Sequence, residues 1–231
     1  MPASFDPANE AEFDRHADTY DEQHRRSVAA SGEDPAYFAR YKRDVLERVL
    51  GSAGRGRPLL DFGCGIGNLL RELTGAFTEV HGYDPSPRSA ARARERATGA
   101  VVHDDLGAVP LGAYGAVVVA NVLHHVAPPM RPALLAEAAR RLAPGGVMVV
   151  FEHNPLNPLT RHAVAACPFD DDAVLLWPWE LTRLLAGAGL CRVRREFIVF
   201  FPRALAWLRP AEPRLAWLPA GAQVCAWGTA P

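Results

Sequence analysis

From Leu59 onward the chain alternates short apolar runs with amphipathic stretches. The runs PLLDF, EVHGY, AVV near residues 100–102, GAVVVA and GVMVVFE carry apolar side chains at both parities, as strands covered by helices on both faces do. Between them, NLLRELTG, SPRSAARARERATG and RPALLAEAARRLAPGG read as helices, with Pro-Gly-Gly at 144–146 ending the last and feeding the next strand. Upstream, PAYFARYKRDVLERVL places Phe38, Tyr41, Val45, Leu46, Val49 and Leu50 at helical spacing behind Pro35, and GSAGRGRP breaks the pattern. After Glu152 the character changes. Prolines 155, 158, 168 and 178 interrupt an irregular excursion with room for one short helix; WELTRLLAGAG is a further helix, and CRVRREFIVFF and AQVCAWGTA are two more strands. The pattern predicts an α/β fold: a Rossmann-like, mostly parallel seven-stranded sheet flanked by helices. A helical lead occupies 1–52, the main domain 53–231, and an insertion at 153–176 follows the fifth strand.

Composition narrows the partners. The chain has 231 residues, 49% of them hydrophobic, and a formal net charge of -1, so no global basic field favours nucleic acid. Arg88, Arg92, Arg94 and Arg96 alternate with alanines and read as a solvated helix face. Cys64, Cys167, Cys191 and Cys225 stand far apart, and no CxxC or Cys/His cluster suggests a metal, so none is expected. The polar N-terminus lacks the basic start and apolar run of a signal peptide, and stretches such as Phe197–Phe201 are too short to span a bilayer. The expectation is a cytoplasmic protein with free thiols and no stable membrane insertion. All five tryptophans fall after residue 176. They read first as the core of a C-terminal layer, second as a wall for an apolar ligand or a homodimer contact.

The chemistry concentrates in Leu59-Leu60-Asp61-Phe62-Gly63-Cys64-Gly65-Ile66-Gly67-Asn68, where a buried strand gives way to a glycine-rich turn and then a helix. Such turns let backbone approach a ligand closely, and they sit where open α/β sheets bind ligands. The dinucleotide fingerprint wants Gly at its sixth position, which here is Asn68, and there is no Walker lysine. Asp61, just before the turn, would repel a pyrophosphate but attract an amino group or sulfonium. S-adenosylmethionine carries both and has no phosphate. A second acid, Asp84 in Tyr83-Asp84-Pro85-Ser86, follows at roughly the 20-residue offset from which a carboxylate reaches ribose hydroxyls.

These residues resemble the class I S-adenosylmethionine-dependent methyltransferases, particularly the small-molecule group that includes the ubiquinone and menaquinone C-methyltransferases. DFGCGIG is similar to that family's first motif and HGYDPSP to its second. His103-Asp104-Asp105-Leu106 resembles the adenine-facing segment, Asn121-Val122-Leu123-His124-His125-Val126 the fourth-strand segment, and Arg141-Leu142-Ala143-Pro144-Gly145-Gly146 the turn before the fifth strand. The resemblance implies that Asp61, Gly63, Cys64 and Gly65 meet the methionine part of the cofactor and that Asp84 and Pro85 meet the ribose. It places Asp105, or equally Asp104, at the adenine amino group, with the Leu106 amide at a ring nitrogen and the Asn121 backbone beside the methionine. FDRHADTYDEQH is similar to a lead-in whose tyrosine, here Tyr20, closes over the cofactor, so that the 1–52 lead caps the site. Tyr114-Gly115 replaces the family's frequent Phe-Asp, and the Asn/Asp-Pro-Pro-Tyr/Phe signature of amino-methylating nucleic-acid enzymes is missing after the fourth strand.

Methyl transfer needs alignment of nucleophile, methyl and sulfur, and an O- or C-nucleophile also benefits from proton removal. Histidine suits that task near neutral pH, so His125 is the leading base and His124 its rival. Glu152 and His153 close the fifth strand on the same rim. The expected partner is a small-molecule acceptor, a hydrophobic secondary metabolite or quinol, shaped by the insertion and the C-terminal layer. A non-catalytic S-adenosylmethionine-binding subunit and an NAD(P)-dependent oxidoreductase remain the alternatives.

Overall fold

The computed structural model describes residues 25, 27–167 and 170–231. Seven strands form one sheet in the order β3-β2-β1-β4-β5-β7-β6. They are β1 Leu59–Phe62, β2 Val80–Tyr83, β3 Val101–His103, β4 Tyr114–Ala120, β5 Leu142–His153, β6 Cys191–Ile198 and β7 Gln223–Thr229. Strands β1 to β5 pair in parallel, and β7 runs antiparallel to both β5 and β6. The helices are α1 Pro35–Arg55, α2 Asn68–Thr74, α3 Pro87–Arg96, α4 Arg131–Ala139, α5 Pro158–Ala165, α6 Pro178–Gly187 and α7 Glu212–Leu215. This is the seven-stranded, mostly parallel sheet that the alternation predicts.

The strand runs are apolar at both parities because both faces are covered. Leu60, Val117, Val119 and Val150 enter one buried cluster, and Leu59, Ala116, Val118 and Val149 enter the other. Each fully buried aliphatic side chain contributes about 1.5–3 kcal/mol. Helix α1 joins the second cluster through Val45, Leu46 and Leu50. Asp34 caps it by accepting from Tyr37 N at 2.8 Å, and Pro35 opens it. Its expected break at GSAG lies inside the helical span, at Gly51, whose φ of 60° and ψ of -166° are non-helical.

Two sequence expectations shift. Strand β5 starts at Leu142, ahead of Pro144-Gly145-Gly146, because Leu142 pairs with Tyr114 before an irregularity between Tyr114 and Ala116. The Pro-Gly-Gly segment is therefore an interruption within the strand, and α4 has already ended at Ala139. The tryptophans do not make a C-terminal core. Trp207 and Trp217 are each 75% exposed, and Trp177 and Trp179 stack on each other at the surface, 4.9 Å apart. Trp207 sits in the 3-10 segment Arg203–Ala211, which buries none of its residues; only Trp227, on β7, packs against the sheet core. Among the described residues no helix is long and apolar enough to cross a membrane.

Both ends of the described chain meet over one edge of the sheet. The Tyr41 hydroxyl donates to Glu212, Arg48 pairs with Glu196, and Arg209 pairs with Glu33 at 2.6 Å while its guanidinium lies 4.4 Å from the Tyr37 ring centroid.

Candidate active site

Strand order reverses between β1 and β4, and a cavity of about 1660 Å3 opens outside their carboxyl ends. The glycine turn after β1 forms one side. Asp61, Gly63, Cys64, Gly65, Asp84 and Pro85 all line it. Gly65 has φ +52°, and a Cβ there would project into open space, so the turn presents bare backbone where a ligand can lie. The displaced third glycine has a packing reason. Gly67 has φ +84°, and a Cβ would come within 2.9 Å of Ala93 Cα, where α3 crosses the turn.

Asp61 is 1% exposed, and its Oδ1 has no hydrogen-bond partner among the described residues. Burial pushes its carboxyl up to about 7, against the pull of Lys42 and with a further push from Asp84. Lys42, on the buried face of α1, is the matching cation. Burial lowers its ammonium to about 8, with Glu152 and Asp61 holding it up, and its Nζ donates to Asn121 Oδ1 at 3.0 Å. An unpartnered buried acceptor and a buried cation at one end of the cavity fit the amino and carboxylate groups of an amino-acid moiety. Asp84 is held ready by Gly65 N at 2.7 Å and Ser86 N at 3.0 Å. Cys64 is buried, which pushes its thiol up and keeps it a protonated wall residue.

Asn121 lines the cavity at a left-handed φ of 57°, uncommon outside glycine. Its role extends beyond the expected backbone contact: the side chain links Lys42 to His153, with Nδ2 3.3 Å from His153 Nε2. Leu106 reaches the cavity wall, but neither Asp104 nor Asp105 is among the residues that line it. Asp104 pairs with Arg94 at 3.2 Å, and Asp105 accepts from Gly107 N at 2.8 Å as the cap of a 3-10 turn. Tyr20 lies outside the described residues.

The opposite side is built from side chains of distant segments. His124 and His125 occupy the 3-10 turn Leu123–His125 after β4. Glu152, buried in β5, accepts from Leu123 N at 2.7 Å and sits 2.6 Å from His124 Nδ1. His124 Nε2 and His125 Nε2 each lie 3.5 Å from Asp170 Oδ1. Burial alone would lower His124, but the charges of Glu152 and Asp170 outweigh it and raise the imidazole well above its ordinary value. Burial and the His124 charge lower both His125 and His153, the latter to about 3. His124 is therefore held charged between Glu152 and Asp170, whereas burial and that charge favour the neutral form of His125 and His153, both on the cavity wall.

Arg131 and Val174, which the sequence pattern does not single out, hold this side together. Arg131, 1% exposed, donates from Nε to Leu123 O and Val126 O at 3.0 Å and also reaches Val174 O and Glu180. Val174 N donates to His124 O at 2.9 Å. These bonds dock the insertion against the histidine turn and deliver Asp170. Lys42 has a visible signal in hindsight: it precedes Val45 and Leu46 by one helical turn, on the face that packs inward.

Sheet order, glycine turn and buried acid together define the class I S-adenosylmethionine-dependent methyltransferase architecture. A family model described as a methyltransferase domain matches residues 34–209, and the chain belongs to that family. It is 31% identical over 190 residues to the trans-aconitate 2-methyltransferase of Mycobacterium ulcerans, covering 76% of this chain and 69% of that protein. It is 30% identical over 173 residues to the ubiquinone biosynthesis O-methyltransferase of Sinorhizobium fredii, covering 66% of this chain and 67% of that protein. The matched segments span 60% to 69% of the length of the first three curated relatives. A SAM-dependent methyltransferase from Thermotoga maritima shares the fold with a TM-score of 0.68 at 21% identity, over 96% of this chain and 100% of that one.

Proposed function

We propose that the chain transfers a methyl group from S-adenosylmethionine to a small-molecule acceptor with an oxygen or carbon nucleophile, seated in the same cavity. The observation that carries this reading is the buried Asp61 carboxylate, unpartnered at Oδ1 beside a bare-backbone turn and facing the buried Lys42 charge. Bound there, the cofactor supplies a methyl group already activated by its sulfonium. Asp61 accepts from the amino group, Lys42 neutralises the carboxylate, and the backbone of Gly63, Cys64 and Gly65 shapes the methionine end. Asp84 and Pro85 meet the ribose. Leu106 faces the adenine, while Asp104 and Asp105 stay off the cavity wall, paired with Arg94 and capping Gly107 N. Lys42, from the described part of the lead in α1, closes the methionine end of the site.

His125 is the acceptor-side catalytic residue, receiving the proton of the nucleophile, and His124 positions it. Val199, Phe200, Pro202, Leu159 and Met130 give the acceptor end an apolar wall. That wall suits a small molecule with a hydrophobic body and a polar nucleophile, such as a phenolic or quinol hydroxyl. The two named relatives act on trans-aconitate and in ubiquinone biosynthesis, which supports a small acceptor over a macromolecule.

The test has two stages. In a thermal-shift comparison, S-adenosylmethionine and S-adenosylhomocysteine stabilise the protein and NAD(P) does not, since only a ligand of the folded state raises the melting temperature. Transfer of labelled methyl to a panel of phenolic, quinol and carboxylic acceptors then identifies the substrate and separates an enzyme from a non-catalytic binding subunit. With that acceptor, His125→Ala lowers turnover and leaves cofactor affinity unchanged; undiminished turnover removes His125 from the mechanism.

A further inference from the structure

We propose that His124, His125 and Asp170 form a binding site for a borderline divalent cation of the zinc class, whose remaining ligand is an oxygen of the acceptor. The proposal rests on the reading that the acceptor occupies this end of the cavity and deepens it by naming what holds the acceptor.

The spacing is the first argument. One Asp170 oxygen lies 3.5 Å from Nε2 of both histidines. A hydrogen bond between an imidazolium and a carboxylate closes to about 2.7–2.9 Å, as His124 Nδ1 and Glu152 do in the same cluster at 2.6 Å. The two longer separations also match those of ligands around a shared ion, which His124 joins by releasing its Nε2 proton to solvent while Nδ1 stays on Glu152. Two atoms about 2.0–2.1 Å from a tetrahedral centre sit about 3.3–3.4 Å apart. The candidate ligand atoms of the three residues all lie within 4.8 Å of one another.

The surroundings are the second argument. A metal-bound histidine commonly holds a carboxylate on its other ring nitrogen, which fixes the ring and raises its basicity. Glu152 does this for His124 at Nδ1 and is itself fixed by Leu123 N at 2.7 Å. On His125, Asp172 Oδ1 stands 3.8 Å from Nδ1. Glu152 and Asp170 thus place two carboxylates around one small volume. Two imidazoles and one carboxylate, with a further open position, are a donor set for zinc, cobalt, manganese or iron rather than for calcium or magnesium, which take oxygen ligands. All three residues line the cavity, so the open position faces the acceptor. An acceptor hydroxyl bound there is held next to the cofactor end and made more acidic by the ion, its proton leaving to solvent. His125 then holds the ion instead of taking the proton, which the ion-acidified hydroxyl releases to solvent. Asp170 comes from the insertion, far from the histidines in sequence, so no local spacing advertises the set.

The experiment uses the full chain stripped of metal by a chelator. Zinc chloride is titrated by calorimetry, and cobalt(II) by visible absorption. One ion per chain is expected, with cobalt bands of tetrahedral intensity. Asp170→Asn and His125→Ala each weaken zinc binding at least about tenfold, the scale on which even outer partners act. His162→Ala, on α5 at the same cavity, leaves it unchanged. Asp170→Asn spares the Glu152–His124 pair, so it remains informative if the histidine variant fails to fold. Absence of a stoichiometric ion at micromolar protein, or binding undiminished in both variants, overturns the site. Cofactor binding is measured on the same samples. Retained S-adenosylmethionine binding without an ion sinks the metal site alone, whereas an ion bound by protein that ignores S-adenosylmethionine sinks the methyltransferase reading alone.

Discussion

The two sides of the cavity are built on different principles. The side after β1 and β2 uses contiguous chain: a glycine turn, one orphaned carboxylate and an acid satisfied by neighbouring amides at Gly65 and Ser86. The side after β4 and β5 uses side chains from four separate segments, tied by Glu152, Arg131 and Asp170. The first tolerates an unpaired charge because its ligand completes it. The second is already closed on itself, so its charges serve stability as well as chemistry.

The largest expected effect tests that closure. Glu152→Ala takes from the buried His124 charge its nearer carboxylate, leaving Asp170 at 3.5 Å, and from Leu123 N its acceptor, and should cost about 3–5 kcal/mol, as loss of one member of a buried pair does. Urea unfolding measures it; a loss under 1 kcal/mol would erase the contrast between the two sides. Asp61→Asn should do the reverse. Removing one charge-assisted hydrogen bond weakens S-adenosylmethionine binding by about 1.5–3 kcal/mol, on the order of 10- to 100-fold. Stability without ligand is unchanged or higher, because a buried charge has gone. Calorimetry and unfolding on the same variant separate the two.

A smaller effect follows from the Asp61 and Lys42 charges. Cofactor binding selects ionised Asp61, so affinity falls as the pH drops below about 7, by at most tenfold per unit. It falls again as Lys42 loses its proton above about 8, leaving a maximum between the two. The ligand-free protein behaves oppositely in acid as far as Asp61 is concerned. Its carboxyl binds a proton more readily folded than unfolded, so this group's contribution to stability rises as the pH falls from 7 toward the ordinary carboxylate range. Affinities measured from about pH 5.5 to about pH 9, roughly one to one and a half units beyond those values on either side, check the window; a flat profile removes Asp61 and Lys42 from recognition. Smallest of all, Asp104→Ala removes a half-exposed pair with Arg94 and should change stability and cofactor affinity by less than about 1 kcal/mol. A tenfold loss of affinity would bring Asp104 to the adenine after all.

Legibility in the sequence followed the same division. The strands and the first side were readable because their determinants lie next to one another: apolar runs of strand length, then Asp61-Phe62-Gly63-Cys64-Gly65, then Asp84 at the next strand end. The histidine turn was also readable as a local feature. What held it was less so: Glu152 was visible on the same rim but its bond to His124 was not, and Arg131 and Asp170 meet the turn only through the fold. Lys42 was hidden among charged neighbours, although its register with Val45 and Leu46 pointed inward. The tryptophans misled because size argues for burial only where an element packs on both sides, and the 203–211 segment does not.

The cross-ties between Tyr41 and Glu212, Arg48 and Glu196, and Arg209 and Glu33 give the far end of the chain, which otherwise meets the site through the wall of Val199, Phe200 and Pro202, a hand in its cofactor side as well. They hold the outer face of α1, whose inner face carries Lys42. Replacing Glu212 by Ala would keep every residue of the glycine turn and the whole sheet yet remove the tie to Tyr41 that helps seat this lysine. Substitution there should act at a distance, loosening the grip on the amino-acid end of the nucleoside without altering the turn that cradles it.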